Sequence, residues 1–192
     1  LGYARSVGWK VRDDARVIPY RFPAPAAAIR ERETVKAELV FFGRLESRKG
    51  LKLFLEMCQG LAADVPITFL GKEDSVEGVP ASKLIAQELA RRPYTLQTGF
   101  DRHEAMAYLT AGHRLAIIPS LIENYPFTVL ECAANGIPFL ASNVGGIPEI
   151  VADRDLQDAM LFQPTARALR RKLDEYLSTD LVTRHRYVER MH

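Results

Sequence analysis

Three short segments hold the residues best suited to chemistry. The first is Gly43-Arg44-Leu45-Glu46-Ser47-Arg48-Lys49-Gly50, lying between a predicted strand and a predicted helix. A guanidinium such as Arg44 can clasp two phosphate oxygens, and an ammonium such as Lys49 adds a mobile point charge. Backbone N–H groups at the start of the following helix favour an anion in the same place. A solvated basic loop would have the same composition, and the segment lacks the G-x-x-x-x-G-K-[ST] spacing of a P-loop.

The second segment is Pro119-Ser120-Leu121-Ile122-Glu123-Asn124-Tyr125-Pro126, running into Phe127–Glu131. Eight helical steps between Glu123 and Glu131 would cover roughly 12 Å, too far for the two to act on one bond. That span suits instead a sugar and a ribose at either end of a diphosphate, since a carboxylate accepts well from vicinal hydroxyls. The plainer reading makes both of them solvated charges. The third segment, Asn143-Val144-Gly145-Gly146-Ile147-Pro148-Glu149, has paired glycines that let the backbone approach a ligand closely, or simply form a tight connection.

The elements around these segments alternate. Strands are expected at Leu39–Phe42, Ile67–Leu70, Tyr94–Thr98, Leu115–Ile118, Ile137–Ala141 and Met160–Phe162. Helices are expected at about 51–61, 82–91, after an Asp101 N-cap, at 126–135, 147–152 and 167–177, with a polar, helical tail to His192. Nearly continuous apolar strands alternating with helices specify an α/β, Rossmann-like three-layer sandwich around a mostly parallel sheet of about six strands. Ligands in such sheets bind beyond the carboxyl ends of the strands, where all three segments fall. Residues 1–36 read as an opening segment or linker, with an edge strand at Val17-Ile18-Pro19, and residues 37–192 as the domain. Tyr3 and Trp9 read as packing residues, and His103 as a surface histidine in a first helical turn.

With 26 Lys plus Arg against 24 Asp plus Glu, the net charge is +2, too balanced for a nucleic-acid binder. Cys58 and Cys132 read as reduced core residues, and the four histidines have no metal-ligand spacing. No apolar run reaches the roughly 20 residues of a membrane span and no signal-peptide pattern opens the chain, which points to a cytoplasmic setting. The chain starts at Leu1 rather than Met and reads as a piece of a longer protein.

The R-x4-K of Arg44 and Lys49, the E-x7-E of Glu123 and Glu131, and Gly145-Gly146-Ile147-Pro148-Glu149 resemble, in order and spacing, the retaining glycosyltransferases of GT-B fold, the large family four. The resemblance runs from about Leu39 to Leu177. It implies a C-terminal, donor-binding domain whose partner, an N-terminal acceptor domain, is absent from this chain. Arg44 and Lys49 would bind the diphosphate of a nucleotide sugar, with Gly43, Gly145 and Gly146 nearby. Glu123 would contact the sugar, flanked by Asn124 and Tyr125, and Glu131 the ribose. The turn after Gly99 would meet the base around Phe100 and Asp101. No metal or other cofactor is implied, because the basic pair and helix ends would stabilise the leaving diphosphate. The acceptor, a glycan, lipid or small molecule, and any membrane association would belong to the missing half. This half alone would bind donor without turnover.

The sequence departs from the family's pattern in two places. Asn124-Tyr125-Pro126-Phe127 are bulkier than the small residues usual after the first glutamate, and Gly71-Lys72-Glu73 replaces a usual Gly-x-Gly. Two other functions share the fold: a non-catalytic nucleotide-sugar-binding module, and a sugar-nucleotide epimerase. A dinucleotide dehydrogenase is disfavoured, since no G-x-G-x-x-G follows the first strand.

Overall fold

The computed structural model describes residues 5–12, 14 and 37–190. The edge strand expected at Val17–Pro19, the linker around Phe22–Pro25 and Tyr3 lie outside the described residues.

Eight strands and eight helices succeed one another from Glu38. They are β1 (Glu38–Phe42), α1 (Leu51–Gln59), β2 (Ile67–Leu70), β3 (Ser75–Val76), β4 (Val79–Pro80), α2 (Ala81–Glu88), β5 (Thr95–Gln97) and α3 (Arg102–Thr110). Then come β6 (Arg114–Ile118), α4 (Phe127–Ala134), β7 (Phe139–Ser142), α5 (Ile147–Ile150), α6 (Arg154–Met160), β8 (Leu161–Phe162), α7 (Ala166–Ser178) and α8 (Leu181–Glu189). Six strands form one sheet in the order β5-β2-β1-β6-β7-β8, every pairing parallel. The strand order reverses direction between β1 and β6, and this crevice is where an open α/β sheet binds its ligand.

The central strands are largely apolar because both faces are covered, whereas the edge strand β5 is Thr95-Leu96-Gln97 and partly exposed. Along β1, Leu39 and Phe41 enter one core cluster while Val40 and Phe42 enter the other. The first core gathers α1, α2 and α7 around stacked aromatic rings, with Phe41–Phe54 centroids 5.5 Å apart and Phe54–Phe69 5.6 Å apart. The second core packs α3, α4, α5 and α6 against the opposite face and contains Cys132. Burying one to two such side chains is worth several kcal/mol, about 1.5–3 each. Both cysteines are buried and free, and burial pushes the Cys58 thiol up to about 12 and raises that of Cys132, which disfavours the thiolate in both.

The polar tail after α7, expected to be helical, forms α8: Asp180 caps it through the Thr183 N–H, and Arg184 lies over the Tyr176 ring at 5.6 Å. Several other expectations need correction. Helix α6 was not foreseen, because its N-cap Asp153 sits in a charged run with only Leu156 and Met160 buried. The two-residue strands β3 and β4 form a small hairpin between β2 and α2. Trp9, expected to pack, is 68% exposed. The fifth sheet strand begins at Phe139 rather than Ile137, since Gly136 and Pro138 carry the turn out of α4. No described helix is long and apolar enough to cross a membrane.

Candidate functional site

Between the carboxyl ends of β1 and β2 and the N-terminal turns of α3 and α4 lies a cleft of about 610 Å³. Gly43, Arg44, Phe100, Asp101 and Glu131 line it, as do Lys72, Arg102 and Thr128. Five of the residues expected from the sequence are therefore brought to one cavity. The loop after β2, whose contribution the sequence left open, also reaches it through Gly71 and Lys72. The Lys72 carbonyl accepts from Leu45 N at 2.9 Å, which ties this loop to the basic one.

Arg44 is half-exposed and near two carboxylates, 3.8 Å from Glu46 and 4.0 Å from Asp74. Lys49 takes the opposite course. A 3₁₀ turn at Ser47–Lys49 turns it inward, and its ammonium donates to Oε1 of Glu123, which also accepts from Ser120 Oγ at 2.8 Å. Their side chains are 16% and 5% exposed. Glu123 is thus a buried, paired carboxylate, not a solvated loop charge. Such pairs are held by each other: removing one partner leaves an uncompensated charge.

The paired glycines also have a definite role. A Cβ on Gly145, whose φ is +54°, would stand 1.8 Å from the Glu123 carbonyl oxygen, and one on Gly146 would stand 2.2 Å from that of Asn124. Gly146 N donates to Asn124 O at 2.8 Å. The close approach these glycines permit is to the Glu123–Asn124 backbone itself. On the other side of the same loop, Gly50 has φ +76° and its Cβ would meet the Pro119 oxygen at 1.8 Å, while Leu121 N donates to Arg48 O at 2.8 Å. Asn124 is exposed, and Tyr125 is half-buried close to Gly146.

Glu131 lies one turn into α4, 8% exposed. Burial pushes its carboxyl above the usual carboxylate range, an effect reduced by Arg102, whose Nε donates to Oε1 at 2.7 Å. Asp101 caps α3 with a reciprocal capping box to Glu104, as its position before an apolar helix foretold. Phe100 packs edge-on against Tyr108 at 5.8 Å. His103 is exposed in the first turn of α3. Sequence reasoning passed over Arg102, Lys72 and Ser120. Arg102 follows immediately from the Asp101 cap, but its partner is 29 residues away and no local pattern announces the pairing.

With this geometry in place, comparison with known proteins is decisive. The family model of glycosyl transferases group 1 matches residues 27–191. The chain belongs to that family. A glycogen synthase of Mycobacterium tuberculosis is 35% identical over 171 residues, 78% of this chain and 41% of that protein. The O-antigen chain mannosyltransferase B of Escherichia coli is 27% identical over 124 residues, 61% of this chain and 31% of that one. The chain thus spans less than half the length of these relatives. Among solved structures, the C-terminal domain of a glycosyl transferase group 1 protein from Francisella tularensis superposes with a TM-score of 0.61 at 20% identity, covering 81% of this chain and 82% of that one. Sucrose-phosphate synthase from Thermosynechococcus elongatus gives 0.62 at 22% identity, covering 81% and 41%. The sheet and its flanking helices are those of a GT-B C-terminal domain, and group 1 proteins are glycosyltransferases.

Proposed function

We propose that this chain is the donor-binding half of a retaining glycosyltransferase, which takes a sugar from a nucleoside diphosphate and passes it to an acceptor hydroxyl. The observation that carries the reading is the cleft beyond the strand ends where Arg44 and the buried Glu131 meet, with Lys49 of the same basic loop paired to the buried Glu123. Buried carboxylates are costly unless something needs their charge, and a polyhydroxylated ligand does.

Arg44 and Lys49 hold the diphosphate and stabilise the charge gathering on it as the glycosidic bond breaks. In this reading the two basic side chains do that work without a divalent metal. Glu131 accepts from the ribose diol, Glu123 contacts sugar hydroxyls, and Phe100 and Asp101 border the base. Lys49, paired with Glu123, then lies between the phosphate and the sugar-binding carboxylate. The acceptor, whether glycan, lipid or small molecule, is held mainly by a second domain of a longer protein.

Calorimetry with UDP, GDP, ADP and the matching nucleotide sugars, in chelator, tests this reading. Glu131→Gln should weaken diphosphate and nucleotide sugar alike, whereas Glu123→Gln should weaken only the nucleotide sugar, each by about 1.5–3 kcal/mol. Strict dependence on Mg²⁺ or Mn²⁺ would refute the metal-free site. Unchanged nucleotide-sugar affinity in the Glu123 variant would remove that residue from it.

A further inference from the structure

One charged contact in the cleft has no part in the reading above. Arg102 is the first residue of α3, set there by the Asp101–Glu104 capping box, and its Nε donates to Glu131 Oε1 at 2.7 Å. The two side chains live in different surroundings: that of Glu131 is 11% exposed, that of Arg102 60%. Both line the cleft, with Arg44, Lys72, Phe100 and Asp101 around them.

A carboxylate in this position has two problems. Left alone and buried it tends to take up a proton, and its terminal torsion is broad, so its oxygens are poorly aimed. A single contact from a guanidinium addresses both. It brings a permanent positive charge and fixes one oxygen, while a carboxylate offers about four lone-pair sites in all. The second oxygen remains able to accept from a diol. An arginine this exposed shares its contact at little cost, so a ligand need not displace it.

We propose that Arg102 is the positioning residue of Glu131: by holding one carboxylate oxygen it aims the other at a ribose, and so makes the cleft select nucleoside diphosphates with intact 2′,3′-hydroxyls. This rests on the reading of Glu131 as the ribose contact. Arg102 acts through Glu131 and not on the phosphates, which belong to Arg44 and Lys49. Its effect is therefore confined to the diol, and this separates it from a general basic residue of the cleft. A cation that acted on the phosphates would strengthen binding of every diphosphate equally, with or without its 2′,3′-hydroxyls.

The test compares UDP, GDP and ADP with their 2′,3′-dideoxy counterparts on the full chain by calorimetry, for wild type, Arg102→Gln, Arg102→Lys, Glu131→Gln and the Arg102→Gln/Glu131→Gln double variant. Wild type should favour the ribose form by roughly tenfold or more, and Glu131→Gln should abolish the preference. Arg102→Gln should reduce it by about three- to tenfold without weakening the dideoxy form, and should add nothing in the double variant. Arg102→Lys should restore part of the preference. If Glu131→Gln removes the preference and Arg102→Gln leaves it intact, the positioning role is overturned while the ribose contact stands. Equal losses for both ligand forms in Arg102→Gln would show a general charge or structural effect and also overturn it. A wild type without preference, or without affinity for any of the three diphosphates, would overturn the ribose reading and this inference with it.

Discussion

The two ends of the central sheet each hold buried or half-buried carboxylates, and they are built on opposite plans. At the amino end, Glu38 of β1 accepts from Arg114 Nε at 2.7 Å and from Tyr108 Oη at 2.5 Å, with Thr68 Oγ1 as a third donor. The Arg114 guanidinium lies 3.7 Å above the Tyr108 ring and also donates to the Tyr108 carbonyl. Burial works against the charge of Glu38, but these donors together outweigh it and hold its carboxyl below the usual value. At the carboxyl end, burial wins at Glu131, and its carboxyl is raised despite Arg102. One carboxylate is saturated by the protein. The other is left wanting donors, in a cleft open to a ligand. In the proposed reading, a ligand supplies the donors that the protein does not give Glu131.

That contrast can be broken or sharpened, beginning with the largest effect. Glu38→Ala should cost about 3 kcal/mol of stability, because it strands Arg114 and removes charge-assisted bonds worth roughly 1.5–3 kcal/mol each, with their partial exposure limiting the sum. Urea unfolding checks this, and nucleotide affinity should stay unchanged. A loss of affinity equal to that of a cleft variant would collapse the distinction between the two ends.

Next in size, Arg44→Ala and Lys49→Ala should each weaken a nucleoside diphosphate by about 1.5–3 kcal/mol while sparing the bare nucleoside. Only Lys49→Ala should also destabilise the fold, because it leaves Glu123 buried and uncompensated, whereas Arg44 is half-exposed. Matching melting temperatures for the two variants would show that the Lys49–Glu123 pair carries no structural weight.

Acidification should separate the ends again. The carboxyl of Glu131 is raised, so as pH falls it gains its proton above the ordinary glutamate range, and ribose-dependent affinity weakens there first. The carboxyl of Glu38 is lowered, so its contribution to stability is present above the unfolded-state value and is lost only as pH falls through its lower folded value. Calorimetry and thermal melting across pH 7 to about 3.5 should show binding failing before the fold. Simultaneous failure would argue that Glu131 does not titrate on its own. The smallest effect is that of Tyr108→Phe, which removes one donor to Glu38 but keeps the ring against Phe100, at about 1 kcal/mol of stability and no change in binding.

How much of this was legible in the sequence follows the range of the interactions. The six sheet strands were readable because most are short apolar runs closed by a turn residue, and the Asp101 cap because its signal is three residues long. That Arg44 and Glu131 would lie at the carboxyl ends of the strands was readable from the strand–helix alternation, while Phe100 and Asp101 came from the family resemblance. Pairings between distant segments were not readable: Arg102 with Glu131, Lys49 with Glu123, and the Glu38 network depend on side chains brought together only by the fold. Helix α6 was missed because it buries only Leu156 and Met160, so its apolar periodicity is faint.

The glycines beside the loop that carries Glu123 have a last consequence for anyone who would exchange parts between relatives. Gly50 on one flank and Gly145 and Gly146 on the other leave no room for a Cβ against the backbone from Pro119 to Asn124. The loop carrying Glu123 is therefore clamped like a keystone, and its shape is partly the property of its neighbours. To graft a different sugar preference onto this scaffold, the unit of transplantation is all three loops at once. A lone substitute for residues 120–126 would have to inherit seats cut for another sequence.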